Sequence, residues 1–467
     1  MTLPLAFIDS MSQVLPEAEL QSFVAALTSE EQPVSIRLNA RKPCCRPEGS
    51  RPVGWCPEGL YLSSRPQFTL DPFLHGGAYY VQEASSQFLT HVLRTFVHEK
   101  VTALDLCAAP GGKSTAALSA LPEGSILVSN EIDRKRARIL AENIQKWGNP
   151  NVCVTANAPA DFRKLTNTFD VLITDVPCSG EGMFRKDPGA VSEWNPAKVH
   201  ECAALQKQIL RDIWPCLKPG GLLVYSTCTF NIHEDEEQLQ FICEELGADL
   251  LPIPVEAGWH IHPALTGDFA PSVRPQDACR FMPHFTQGEG LFMAALRKKG
   301  DAPADTSSQK QNPSSKPKDR NIRAAKATPV PTDAARWINI GASIQLQADG
   351  SIKAIPSALE NLYGQLTENR LYLLSAGIEL GMLKGKDIQP AHALALSTAL
   401  SADAFPKAEL DLDTALNYLR REAIVLPPSV PHGYILLTYR QLPLGFVKNI
   451  GNRCNSLYPM EWRIRNL

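Results

Sequence analysis

The chain is predicted to be an α/β protein built on a mostly parallel sheet with helices on both faces. Short apolar runs recur at residues 102–106, 126–130, 152–156, 171–175 and 222–226. Segments of helical period lie between them, at 114–121, 134–147 and 203–217. Strands separated by helices of that length are joined by crossovers and therefore run side by side in the same direction. Composition agrees with a globular fold: 44% of the 467 residues are hydrophobic and 20% charged. A chain of this length has room for roughly two to four domains, each with its own core.

The elements outside the alternating region read less regularly. Ser35-Ile36-Arg37-Leu38-Asn39 alternates like a short strand, and Gly76-Gly77-Ala78-Tyr79-Tyr80-Val81-Gln82 reads as a turn into another. Residues 84–97 carry a helical pattern through Phe88, Leu89, Val92, Leu93 and Phe96. Residues 300–334 are rich in Pro, Ser, Lys, Asp and Ala without hydrophobic period, so a flexible linker is expected there. Within it, Lys310 to Lys326 holds six Lys or Arg against one Asp. Apolar patterns return at 371–380, a helix is expected at 390–400, and Gly433 to Tyr439 reads as a strand. The expected division is an N-terminal region 1–95, a central α/β domain 96–299, the linker 300–334 and a small α+β domain 335–467.

Several function classes are excluded by bulk properties. No apolar run approaches the length that crosses a bilayer. The first residues lack a basic stretch ahead of an apolar one, so no signal peptide is expected and the cytoplasm is the expected compartment. Twelve cysteines in such a compartment are not expected to be disulfide partners. There is no Cys-x-x-Cys, which disfavours zinc. Cys153, Cys216 and Cys243 fall in apolar patterns and read as small buried hydrophobes. The net charge of -3 makes the whole molecule no magnet for nucleic acid, although local patches remain.

In an open α/β sheet the ligand lies beyond the carboxyl ends of the strands. That rule places Asp105, Glu131, Asp175 and Cys228 along one rim. The run Leu104-Asp105-Leu106-Cys107-Ala108-Ala109-Pro110-Gly111-Gly112-Lys113-Ser114 is a strand, a small-residue turn and a helix start. A phosphate-binding loop would need Gly where Cys107 stands, and Pro110 removes an amide. Gly-x-Gly-x-x-Gly is also absent. S-adenosylmethionine has no phosphate to cradle, and needs room, an acid for its ribose hydroxyls and an anchor for its amino-acid end. The loop 107–113 supplies the room, and Glu131, at the end of the next strand, supplies the acid.

Two thiols complete the rim. Cys178 closes Asp175-Val176-Pro177-Cys178, and Cys228 closes Tyr225-Ser226-Thr227-Cys228. One cysteine at a strand end is usually core packing. Two beside a cofactor loop point instead to nucleophilic chemistry. With these motifs the sequence resembles the Sun (Fmu)-type RNA 5-methylcytosine methyltransferases, through residues 107–113, 175–186 and 226–229, and further through 77–86 and 280–284. The match spans roughly residues 30–300. The tail Gly180-Glu181-Gly182-Met183-Phe184-Arg185-Lys186 is similar to the bacterial ribosomal RNA subgroup. Leu444–Lys448 and Asn455–Pro459 (positions 444–448 and 455–459) resemble that subgroup's PUA-like RNA-binding module.

The resemblance implies a Rossmann-like class I methyltransferase sheet with an N-terminal RNA-binding extension and a C-terminal α+β PUA-like domain. It implies S-adenosylmethionine as cofactor, bound by Cys107, Ala108, Ala109, Pro110, Gly111, Gly112, Lys113, Glu131, Asn157 and Asp175. It implies a monomer that methylates carbon 5 of a cytidine in 16S ribosomal RNA, with transfer RNA as an alternative substrate. Cys228 is the implied nucleophile, Cys178 the base that removes the carbon 5 proton, Asp175 the partner of the cytosine ring and Lys113 electrostatic support. The chain departs from the family pattern at Asn157-Ala158-Pro159-Ala160-Asp161, where an acid is usual, so the adenine-side contact is open between Asn157, Asp161 and neither. It departs again at Asp235, where Asn is usual, and there the change reads as drift at a helix start. Arg37, Arg185, Lys186 and Arg280 are candidate RNA contacts, with Tyr79 or Tyr80 as stacking partners. Two rivals remain: a DNA cytosine methyltransferase, which would promote Cys178 to nucleophile because it follows Pro177, and a catalytically idle RNA-binding assembly factor.

Overall fold

The computed structural model describes residues 2–29, 32–300, 332–385 and 387–465. The linker read at 300–334, with its basic stretch, falls almost wholly outside these residues. Among the described residues no helix is long and apolar enough to cross a membrane.

A ten-stranded sheet forms the centre. Its strands in chain order are β1 (Thr102–Asp105), β2 (Ile126–Asn130), β3 (Val152–Thr155), β4 (Phe169–Asp175), β5 (Leu217–Thr227), β6 (Ala248–Leu251), β7 (His262–Pro263), β8 (Ala278–Phe281), β9 (Leu291–Lys298) and β10 (Leu373–Ala376). The spatial order is β7-β8-β9-β5-β4-β1-β2-β3-β10, with β6 paired to β9. Strands β1 to β5 pair in parallel, while β9 runs antiparallel to β5. Four helices accompany them: α1 (Gly112–Ala120), α2 (Arg134–Trp147), α3 (Pro196–Ile213) and α4 (Glu236–Glu244).

The near-continuous apolar character of the parallel strands follows from burial on both faces. Successive side chains point to opposite sides. Leu104, Val128, Cys153, Leu172 and Leu223 enter one core, and Ala103, Leu127, Val154, Val171 and Val224 enter the other. Cys153 and Cys216 are buried as expected, and Cys243 is half-buried. Helix α2 begins where the Asp133 carboxylate accepts from the Lys135 and Arg136 amides, both at 2.8 Å. It ends at Gly148, whose φ of 84° suits a residue without a Cβ.

The chain before the sheet opens with two helices, Leu5–Ser12 and Glu17–Thr28, followed by a four-stranded antiparallel sheet of Arg51–Val53, Cys56–Leu62, Val34–Leu38 and Tyr79–Val81. The expected strand around Ile36 and the one after Gly77 are both present. The pattern at 84–97 is not one helix: a 3-10 turn, Ser85–Phe88, precedes the α-helix Leu89–Phe96. Glu83 causes the tightening, because its carboxylate accepts from the Ser85 and Ser86 amides, each at 2.9 Å.

The stretch after the linker holds two four-stranded sheets. One is Ala342–Leu346, Ser351–Pro356, Ile378–Lys384 and Asp387–Pro390; the other is Lys407–Glu409, Gly433–Tyr439, Leu442–Asn449 and Cys454–Ser456. The expected strand at 433 is present. The helix expected at 390–400 shrinks to His392–Leu396. Its apolar residues are drawn into tertiary pairs instead: the Thr398 amide donates to the Gly148 carbonyl at 2.9 Å, and Leu400 bridges to Ile338. Residues 371–380 split at Gly377 (φ 61°). The segment after it joins the Ile378 sheet, while the segment before it becomes β10 at the edge of the central sheet.

Candidate active site

The loop after β1 is braced from outside by α2. Asn143 donates to the Pro110 carbonyl at 2.8 Å and Arg136 to the Ala109 carbonyl at 3.1 Å. From within, the Ala108 amide donates to the Asn130 carbonyl at 2.8 Å. Gly111 takes a φ of 114°, where an L side chain is strained, and a Cβ there would stand 3.3 Å from Leu140. Burial pushes the Cys107 thiol upward, with the negative field of Asp105 acting in the same direction.

Three carboxylates meet the loop. Asp105 is fully buried and accepts from the Ser114 hydroxyl at 2.6 Å through one oxygen, while the other oxygen has no partner. Burial pushes its carboxyl up to about 7, with the Ser114 bond opposing. Glu131 is buried at the end of β2, accepts from the Asp133 amide at 3.0 Å and faces Arg136 at 3.4 Å. Asp175, at the end of β4, accepts from Lys113 Nζ at 2.9 Å and from Ser226 Oγ at 3.0 Å. Lys113 is thus no solvated helix-start lysine. Burial works to lower its pKa, but Asp175 and then Cys228 carry it above the usual lysine value.

Such a set suits S-adenosylmethionine, whose ammonium and sulfonium are cationic. An unpartnered buried carboxylate oxygen is an acceptor in want of a donor. Three acids against Lys113 and Arg136, both already paired, would disfavour a polyphosphate.

The two thiols come together. Cys178 Sγ and Cys228 Sγ lie 3.1 Å apart, at the ends of the neighbouring strands β4 and β5. Contact with Cys228, followed by burial, raises the Cys178 thiol well above its ordinary value, and Glu234 adds to the effect.

An acidic clamp behind the thiols was not foreseen from the sequence. Glu234 accepts from the Ser179 amide and hydroxyl, from Asn231 at 2.9 Å and from Gln206 at 2.8 Å. Glu181 accepts from the Phe230 amide at 2.7 Å, and from Asn231 and Trp194. Each acid therefore ties the Cys178 loop to the Cys228 loop. Asp235 accepts from Thr227 at 2.6 Å and Thr229 at 3.0 Å, the two residues that flank Cys228. It is fully buried and faces Arg280 at 3.1 Å, so it is a packed support and not drift at a helix start. Gly182 lets the loops close: its amide donates to the Cys228 carbonyl at 2.8 Å, and a Cβ would meet the Gly290 carbonyl at 2.7 Å. The signal in the sequence was four successive acids, Glu234-Asp235-Glu236-Glu237, beginning six residues past the thiol.

Other expectations are corrected. Asn157 does not stand free at the cofactor rim, because its side-chain amide donates to the Tyr372 carbonyl at 3.2 Å and accepts from the Tyr372 amide at 2.8 Å. Asp161 closes a local turn by accepting from the Ala158 amide at 2.9 Å. Four of the proposed RNA contacts are internal. Arg37 is fully buried and holds α1 through Ser119 at 2.9 Å and Thr115 at 2.6 Å. Arg280 is locked to Glu236 and the Phe230 carbonyl. Arg185 pairs with Glu289 at 2.8 Å, and Tyr79 is buried with its hydroxyl on Asp71. Tyr80 is half-buried in the second core, and Lys186 stays partly exposed near Glu289 at 3.4 Å. Arginine type alone does not separate a phosphate contact from a buried clamp.

The chain is similar to known proteins along most of its length. The family described as 16S rRNA methyltransferase RsmB/F matches residues 92–297. The N-terminal domain of 16S rRNA methyltransferase RsmF matches residues 3–84, and the methyltransferase RsmF PUA domain matches residues 405–464. A ribosomal RNA small subunit methyltransferase F of Cronobacter sakazakii is 30% identical over 98% of this chain and 96% of its own length. The enzyme of the same name from Erwinia tasmaniensis is 29% identical over the same shares. A crystal structure of a methyltransferase homolog from Pyrococcus horikoshii, 28% identical, superposes with a TM-score of 0.54 over 62% of this chain and 94% of its own. The likeness takes in the sheet, the cofactor loop and both flanking regions: the chain belongs to the ribosomal RNA small subunit methyltransferase F family, which uses S-adenosylmethionine.

Proposed function

We propose that the protein methylates carbon 5 of a cytidine in 16S ribosomal RNA through a covalent adduct on Cys228. The observation that carries this reading is the thiol pair, 3.1 Å apart beside the Lys113–Asp175 ion pair.

Carbon 5 of cytosine is too weak a nucleophile to take a methyl group unaided. Glu234 bears on Cys178 and, with its contact to Cys228 and its burial, helps that thiol to keep its proton. Cys228, whose sulfur lies beside it, is therefore read as the attacking sulfur. The Cys228 thiolate adds to carbon 6, the ring electrons move toward nitrogen 3, and the Lys113–Asp175 pair holds the proton that this nitrogen takes up. When bound, S-adenosylmethionine supplies an electrophilic methyl group. Carbon 5, now enamine-like, would take that methyl group as its bond to the sulfonium sulfur breaks, leaving S-adenosylhomocysteine.

The final step needs a base, and adduct formation prepares one. The first cause of the raised Cys178 value is its contact with Cys228. Once Cys228 sulfur is a thioether it carries no charge and accepts only weakly, so that cause weakens and the half-buried Cys178 can give its proton to solvent. Cys178 thiolate then takes the carbon 5 proton, the carbon 5–carbon 6 double bond re-forms as Cys228 departs as thiolate, and nitrogen 3 returns its proton to the Lys113–Asp175 pair. Asp105 and Glu131 are read as the partners of the cofactor's ammonium and ribose, with the loop 107–113 giving room. Asn157 keeps its place in the proposal only as a support beside that site.

The region 1–95 and the PUA-like unit within 335–467 are read as the RNA-holding parts of a cytoplasmic monomer. Transfer RNA is the second substrate reading, and bisulfite mapping of both RNAs from a deletion strain separates the two. The test of the chemistry uses RNA containing 5-fluorocytidine. Cys228→Ala is expected to form no covalent adduct on a denaturing gel, and Cys178→Ala to accumulate one even with ordinary RNA. The reverse pattern would exchange the roles and favour the chemistry of DNA cytosine methyltransferases. Adduct in neither wild type nor variants would favour an idle assembly factor.

A further inference from the structure

We infer that Tyr372, from the C-terminal half, forms a wall of the adenine site of the cofactor. The inference rests on the reading of the rim as an S-adenosylmethionine site and adds a residue from outside the central domain.

Strand β10 lies beside β3 with Leu373 opposite Thr155, and the Ala156 amide donates to the Tyr372 carbonyl at 2.9 Å. Tyr372 therefore stands just past the carboxyl end of β3, on the rim where the ligand lies. Glu131, which suits the ribose, ends β2 on the other side of β3, and its amide donates to the Thr155 carbonyl at 3.2 Å. Two strand spacings of ~4.8 Å separate the ends of β2 and β10, a reach that one nucleoside spans.

Two apolar side chains stay exposed along that reach. Ile132, next after Glu131, is 63% exposed and Tyr372 is 47% exposed. Arg134, in the first turn of α2, sits 4.6 Å over the Tyr372 ring. The backbone beneath the ring is held rigidly, because Asn157 pairs with both the amide and the carbonyl of Tyr372. An Asp at 157 could accept from the amide but not donate to the carbonyl. The Asn thus exchanges a direct purine contact for a fixed aromatic platform. A planar purine stacked on a fixed ring gains without any match of donors and acceptors.

An exposed aromatic on an RNA enzyme has one other natural use, stacking on an RNA base. Its place beyond β3, two strands from the Glu131 end and away from the thiols at β4 and β5, favours the cofactor.

The test is calorimetric titration of S-adenosylhomocysteine into the full chain. Tyr372→Ala is expected to weaken binding roughly tenfold, in the range found when an aromatic that stacks on a base is removed. Tyr372→Phe is expected to stay within about twofold, since only the ring is needed. Tyr372→Leu, which keeps bulk without an aromatic face, should behave like Ala and guards against a folding defect in that variant. Affinities equal to wild type in both the Ala and Leu variants would overturn the inference, and weaker RNA retention in those variants would then assign the ring to RNA. A wild-type chain that binds no S-adenosylhomocysteine would overturn the cofactor reading and this inference together.

Discussion

In the proposed site Asp105 is the acid that meets the cofactor's ammonium. Its carboxyl holds its proton to about 7 because burial outweighs the Ser114 hydrogen bond. The unfolded chain releases that proton near ~4. Between those values the folded state binds more protons than the unfolded one, so the contribution to stability is full at the low end and falls as pH rises. Ligand binding has the opposite slope, because an ammonium prefers the ionised acid. S-adenosylhomocysteine affinity is expected to rise from about pH 6 to about pH 8 in the wild type and to lose that slope in Asp105→Asn, as read by titration calorimetry at each pH. At this scale Cys178, Cys228 and Asp175 were legible, because each ends an apolar strand and strand ends converge on one rim. Glu234 and Asp235 were not, because polar residues after a strand read as a solvated turn. Only packing shows them turned inward onto Ser179, Thr227 and Thr229.

At the scale of elements, the contact that matters most is the attachment of β10 to β3. A short strand at a sheet edge has few ladder bonds of its own, and the Asn157 amide adds two at its start. Asn157→Asp would keep one bond and set a carboxylate oxygen against the Tyr372 carbonyl. A loss of about 1–3 kcal/mol is expected locally, from the lost bond and from a carboxylate held against a carbonyl that keeps only the Ala156 amide as donor. Amide exchange at Leu373–Ala376 should then quicken by roughly tenfold or more while β1 and β4 keep their protection. Unchanged exchange at those four amides would show that β10 is held by packing alone. The parallel strands and α2 were readable from period and caps. The run at 390–400 was not, since Ala and Leu favour helix while the pairs with Gly148 and Ile338 pull the chain out of it.

At the scale of the molecule, the two halves share a core. Ile355, Leu359, Leu362, Leu366, Leu371 and Ala376 pack in one cluster with Leu104, Val128 and Leu172 of the central sheet. A chain ended after Lys299 would expose that surface and the edge of β3. Each large aliphatic side chain returned to water costs about 1.5–3 kcal/mol, so the shortened chain is expected to melt lower by roughly 10 °C or more. Its bare strand edge should also promote association, visible as light scattering during purification. A shortened chain that melts with the full one would show the halves to be energetically independent.

The sequence by itself determined the parallel sheet, the rim and which residues stand on it, because period, strand ends and small-residue turns are local properties of the chain. Tertiary structure alone decided which charged residues face inward, which half supplies the last strand of the central sheet, and what occupies Asn157. Those depend on pairs far apart in the chain, Glu181 with Phe230, Arg37 with Thr115, Asn157 with Tyr372. No local pattern encodes such a partner, since the same side chain serves equally in solvent, on RNA or in a buried clamp.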